Sequence, residues 1–108
     1  MITVNFTYEN KEIKKVSVSG HSLYDKKGSD IVCSSVSTAV IYSIRLLEAN
    51  EEKFTFREDE KKPEITILVN EVSSLTNLVL DNLKILLEDL SKDYPNNIKI
   101  KEVLKWLN

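Results

Sequence analysis

The 108-residue sequence predicts a single α/β domain spanning 1–108, a mixed and mostly antiparallel sheet carrying two main helices in the order β-β-α-β-β-α-β. Three observations predict it. Five short segments alternate apolar and polar residues, the period of a half-buried strand. Two longer segments behave as packed helices, one almost without charge and one with apolar residues at three- and four-residue spacing. Short polar turns join strands in pairs and the helices bridge the pairs, which makes a mixed sheet in two or three layers.

Residues Ile2 to Tyr8 alternate strictly, with Ile2, Val4, Phe6 and Tyr8 inward. Glu9 to Glu12 is a polar turn, and Ile13 to Ser19 is a second strand that pairs antiparallel with the first. Ile13 is out of phase with Val16 and Val18, which predicts a bulge or a ragged start. Gly20 ends the hairpin and a polar loop, Ser22 to Ser29, follows. Ser29 or Asp30 can cap a helix by accepting backbone N–H groups of its first turn. That helix is expected from about Ile31 to Ala49. It carries no charge before Arg45, so most of its circumference should be covered in the middle of the domain.

Glu52 to Glu60 alternates around Phe54 and Phe56, and Ile65, Ile67 and Val69 mark a fourth strand. The charges between Glu51 and Glu64 read as a solvated hairpin, because long charged side chains sit in water. A second helix is expected from about Ser74 to Lys92, with Leu75, Leu78, Val79, Leu83, Leu86, Leu87 and Leu90 as its core stripe. Tyr94-Pro95 stops it. Ile98 and Ile100 give a short last strand. The tail Val103 to Leu107 reads either as a helical turn or as an apolar patch that meets a partner subunit.

The bulk numbers bound the function. A net charge of −2 argues against a general phosphate-backbone binder. One cysteine forbids an internal disulfide, which suits a reducing cytoplasm. The N-terminus runs straight into the alternating pattern, unlike a signal peptide. The longest uncharged stretch, Ile31 to Ile44, has five serines and threonines and is too short to span a bilayer. No second cysteine or histidine exists to build a zinc site, and no glycine-rich phosphate loop is present. No cofactor is expected.

The chemistry-bearing residues gather between Gly20 and Ser37, which hold the one histidine, the one cysteine and both glycines. With Asp30 as N-cap, Cys33 is the third helical residue. There the unpaired N–H groups and the helix dipole favour a thiolate. His21 lies at a strand end twelve residues earlier. The loop between must fold back for the helix to pack on the hairpin, and Gly20 permits close backbone approach. A cysteine and a histidine within hydrogen-bond reach are the minimal unit of thiol nucleophilic catalysis. Asp30 either caps the helix only or also orients His21. Ser37, at i+4 from Cys33, either bonds back to a helix carbonyl or steadies the thiol. Backbone N–H groups near Cys33 and Ser34 are the expected oxyanion donors. Ser22 to Ser29 is expected to be a mobile lid, with Gly28 as hinge and Leu23 and Tyr24 folding onto substrate or plugging the domain edge.

The Gly20-His21 step, the polar loop and the run Asp30-Ile31-Val32-Cys33-Ser34-Ser35-Val36-Ser37 together resemble the ribosomal-processing cysteine protease family Prp. The order of elements and the length fit along nearly the whole chain. The resemblance implies that His21 and Cys33 are the catalytic pair, and that Asp30 and Ser37 fall on positions the motif specifies. Ser22 and Ser34 depart from small alanines at the matching positions, and neither change should remove activity. The implied substrate is the N-terminal extension of ribosomal protein bL27, and the implied assembly is a homodimer. No direct contact with nucleic acid or membrane is expected. Two rivals are a non-enzymatic ribosome-assembly module and a thiol redox sensor built on Cys33.

Overall fold

The computed structural model of the chain describes residues 1–20, 31–59 and 61–105. The elements run β1 (Ile2–Glu9), β2 (Glu12–Ser19), α1 (Ile31–Ala49), β3 (Phe54–Asp59), β4 (Glu64–Val69), α2 (Ser74–Asp93) and β5 (Ile98–Lys105). The five strands form one sheet in the order β3-β4-β2-β1-β5. Only β1 and β5 pair parallel; the other neighbours are antiparallel. The expected element order and mixed sheet are therefore present.

The hairpin β1–β2 turns on Asn10 and Lys11, both at positive φ (54° and 65°). A two-residue turn of that kind matches the twist of the strands it joins. The register then slips between Thr7 and Tyr8: Thr7 faces Lys15 and Tyr8 faces Ile13. The extra residue is the expected bulge. It returns Ile13 to the inward face, where it is buried beside Val16 and Val18.

The buried apolar residues line one sheet face. Ile2, Val4 and Phe6 of β1, Val16 and Val18 of β2, Ile65, Ile67 and Val69 of β4, and Ile98 of β5 are all buried. Their neighbours Thr3, Asn5, Thr7, Thr66, Lys99 and Lys101 point the other way. Both helices contribute to the same core, α1 through Val32, Cys33, Val36, Val40, Ile44 and Leu47, and α2 through Val79, Leu80, Leu83 and Leu87. The result is two layers, with the second sheet face outside the core; there Leu68 and Val103 are exposed among polar residues.

Three details depart from expectation. The outer side of α1 is bare rather than covered: Ile31 and Tyr42 are 73% and 62% exposed. A two-layer fold buries one side of a helix, whatever the sequence offers on the other. On α2, Leu78 and Leu86 lie outside the core, while Leu80 and Thr76 are buried in it. The helix is rotated so that its buried stripe centres on Leu83 and Leu87, and a pattern of six leucines and Val79 is wider than the stripe the sheet can cover. Thr76 is buried because it closes a capping box: the Ser73 Oγ accepts the Thr76 N–H at 3.1 Å, and the Thr76 Oγ1 accepts the Ser73 N–H at 2.9 Å. Finally, the tail is not a helical turn through Lys105; it continues β5 along β1, with Val103 opposite Thr7 and Leu104 opposite Tyr8, and both side chains are exposed.

Candidate active site

The site is built at one end of the sheet. β2 runs toward Ser19 and α1 begins at Ile31. The far end of α1 is tied to the start of β3, since the Glu52 N–H donates to Leu47 O at 3.0 Å. Phe54 faces Val69, and Leu68 faces Lys15 near the start of β2. A 19-residue helix is about 28 Å long, close to the roughly 26 Å of an eight-residue strand. The start of α1 therefore returns to the end of the sheet at which β2 finishes.

Cys33 is the third residue of α1 and is 8% exposed. It sits in the first turn, where the helix dipole favours negative charge. Helical spacing puts Ser37 about 40° round from Cys33 on the same side, one turn on; it is half-buried. Ser34 is exposed beside Cys33. The hydroxyl that bonds back to a carbonyl in this turn belongs to Ser35, which donates to Ile31 O at 2.9 Å. Of the remaining expected site residues, His21, Ser22, Leu23, Tyr24, Gly28 and Asp30 lie outside the described residues, as does Ser29.

Gly20 is the last described residue before His21, and its role is now physical. Its φ is +144°, and a Cβ there would lie 2.5 Å from Met1 O and 3.0 Å from Ile2 Cα. The backbone approach that glycine permits is that of the first strand. The Gly20 N–H donates to Pro63 O at 3.1 Å, so the β3–β4 turn is fastened to the end of β2. That turn is ordered in its own right, the Asp59 Oδ1 accepting the N–H groups of Lys61 and Lys62 at 3.0 and 3.2 Å. Ser19, Gly20, Lys61, Lys62, Pro63 and Glu64 line an open basin of about 330 Å³. Sequence reading did not place this turn beside Gly20. The contact spans more than forty residues, and nothing local to Lys61 or Pro63 announces it.

Among the described residues no cluster of three His, Cys, Asp or Glu is arranged to hold a metal. A thiol at a helix start, next to backbone N–H groups, can attack a carbonyl carbon and see the resulting oxyanion stabilised.

Comparison with known proteins agrees with this chemistry. Residues 1–99 match the family model described as Cysteine protease Prp. The ribosomal processing cysteine protease Prp of Mycoplasma genitalium is 28% identical over 83 residues, covering 77% of this chain and 82% of that protein. Its Mycoplasma pneumoniae counterpart is 29% identical over 91 residues, covering 84% and 89%. Among solved structures, the Prp protease of S. aureus with a covalently linked product peptide superposes with a TM-score of 0.84 at 24% identity, over 94% of this chain and 99% of that one. A Streptococcus mutans protein gives 0.84 at 21% identity, over 97% and 96%. At these identities the two structures establish the shared fold.

Proposed function

The chain belongs to the Prp family of cysteine proteases, and from that premise we propose that it is the cytoplasmic endopeptidase that removes the N-terminal extension of ribosomal protein bL27. The reading is supported above all by Cys33, the one cysteine of the chain, in the first turn of the helix that follows the Gly20-His21 step in the sequence. Related proteins known as ribosomal processing cysteine proteases come from two mycoplasmas, and a fold neighbour holds a product peptide covalently.

In the proposed mechanism the Cys33 thiolate attacks the scissile carbonyl carbon, forming a C–S bond. N–H groups near Cys33 and Ser34 stabilise the oxyanion. As the C–N bond breaks, His21 gives its proton to the departing amine. A water that returns a proton to His21 then attacks the thioester, releasing the carboxylate product and restoring the thiolate. Asp30 caps α1 or orients His21, and Ser37 steadies the thiol. No cofactor enters. The protein is further proposed to work as a homodimer.

Alkylation tests the nucleophile. Iodoacetamide should label Cys33 faster than it labels a small free thiol, and the labelled protein should no longer cleave an extended peptide. Full cleavage by the alkylated protein would remove Cys33 from the chemistry, and no cleavage by the unlabelled protein would leave the assembly-module reading.

A further inference from the structure

We propose that the sheet face turned away from the helices binds the sugar–phosphate backbone of double-stranded RNA, along the half built from β5, β1 and β2. No catalytic step enters it, and it does not depend on the protease reading. It replaces the expectation of no contact with nucleic acid, which came from a net charge of −2. A total does not show where the charges lie. Alternation along the strands puts Lys99, Lys101 and Lys105 of β5 and Lys15 of β2 on this face, opposite the side that buries Ile98, Ile2, Val4 and Val16. All four lysines are exposed. The exposed carboxylates Asp81, Glu88, Asp89 and Asp93 lie on α2, in the other layer.

The lysines form a track. Lys99 and Lys101 are about 7 Å apart along β5, and Lys105 is about 20 Å from Lys99. Lys15 faces Thr7, and Thr7 faces Val103, so Lys15 lies two strands in, about 10 Å to the side. Short hydrogen-bonding side chains fill the space between, Thr3, Asn5 and Thr7 of β1, with the Asn5 Nδ2 donating to Ser17 Oγ at 3.4 Å. The carboxylate of Glu9 shares this half, beside Lys105. Glu12 is turned to α2, accepting from Asn77 Nδ2 at 2.7 Å. Asp59 and Glu64 share the face only at its far corner, on β3 and β4, next to Arg57. Among the described residues the ion pairs are Lys53–Glu71 and Lys84–Glu102, so neither neutralises any of the four lysines.

Charge and side-chain type select the occupant. Lysines on an edge strand commonly serve to keep that edge from pairing. That role does not account for Lys15, which is on an inner strand, and β3, the other edge, carries no lysine. Lysines with threonine and asparagine between them are the side chains that hold phosphate and sugar oxygens without reading bases. Among the described residues the face has no aromatic ring on which an unpaired base could stack, as single strands require. A duplex needs none. Its phosphates meet the lysines, and its 2′-hydroxyls, which distinguish RNA from DNA, meet Thr3, Asn5 and Thr7. An acidic protein would need a clustered anchor at the centre of the patch. The exposed apolar residues here, Leu68 and Val103, are kept apart by Lys15 and Thr7.

The test is fluorescence anisotropy of a labelled RNA duplex of about 16 base pairs, titrated with the full chain at salt concentrations from about 50 to 200 mM. Four phosphate contacts give a slope of log K against log salt of about −3.6, a weakening on the order of a hundredfold over that range. Lys101→Gln and Lys15→Gln should each make the slope shallower by about one, and Lys92→Gln, on α2, should leave it unchanged. The DNA duplex of the same sequence should bind more weakly. The substituted lysines are exposed, so circular dichroism should match the wild type; Lys99→Gln replaces any variant that loses it. No binding at the lowest salt, an unchanged slope in both Lys101→Gln and Lys15→Gln, or DNA bound as tightly as RNA would overturn the proposal. So would binding to phosphatidylserine vesicles with none to the duplex, which would assign the face to a membrane.

Discussion

Cys33→Ala replaces one small buried side chain with another, so the variant should fold and melt close to wild type while losing peptide cleavage altogether. Cys33→Ser should fail as well, because a hydroxyl ionises far less readily than a thiol. His21→Ala should leave peptide affinity largely intact and lower turnover on the order of a hundredfold or more, the scale of a general acid–base group; steady-state kinetics on an extended peptide separate the two effects, and wild-type turnover would reduce His21 to a loop residue. Gly20→Ala is a different kind of change. The added methyl meets Met1 O at 2.5 Å at a φ of +144°, so destabilisation of at least about 1–3 kcal/mol is expected, read by urea unfolding. An unshifted midpoint would show that the end of β1 is not packed on Gly20. The sequence made Gly20 visible as a residue that permits close approach. What approaches it, the Met1–Ile2 backbone and the Pro63 carbonyl, depends on strand pairing across the chain and could not be read locally.

Element by element, legibility followed the strength of the periodic signal. The end of α1 and the start of α2 agree with the pattern, because apolar repeats and a cap such as Ser73 fix helix ends locally. Which leucines of α2 are buried was less legible, since the rotation of a helix is set by what it packs on. A related feature left no trace in the sequence: the Lys84 Nζ donates to the Tyr8 hydroxyl at 2.8 Å and to the Glu102 carboxylate, joining α2 to β1 and β5. Burial of this lysine would by itself lower its pKa, but hydrogen bonds to Glu102 and Tyr8 outweigh that and hold the ammonium above the usual lysine range. A folded value above the unfolded one stabilises fully below the unfolded pKa, about 10.4 for lysine, and the gain is lost as pH rises through the folded value. Wild type should therefore be more stable than Lys84→Met by a constant margin from pH 7 to 9, and the margin should shrink above roughly pH 10.4. A margin unchanged at pH 11 would show that the ammonium does not carry the contact. Because Glu102 is 55% exposed, the margin is expected to be modest.

At the scale of the molecule, the fold was legible because alternation along five strands and two apolar helices admit few arrangements. Two layers or three was not decided, since an uncharged α1 suggested cover over most of its circumference; only the packing of both helices into one core settles it. The functional assignment rests on the Gly20-His21 step and the run from Asp30 to Ser37, and the family match over residues 1–99 carries it from motif to family. The most direct test of that assignment is the mass of the N-terminally extended ribosomal protein bL27 after incubation with the purified chain. The account predicts that the wild-type protein shortens it by a single N-terminal segment and that Cys33→Ala leaves it whole. An unchanged mass with the wild-type protein, or the same shortening with Cys33→Ala, would contradict it.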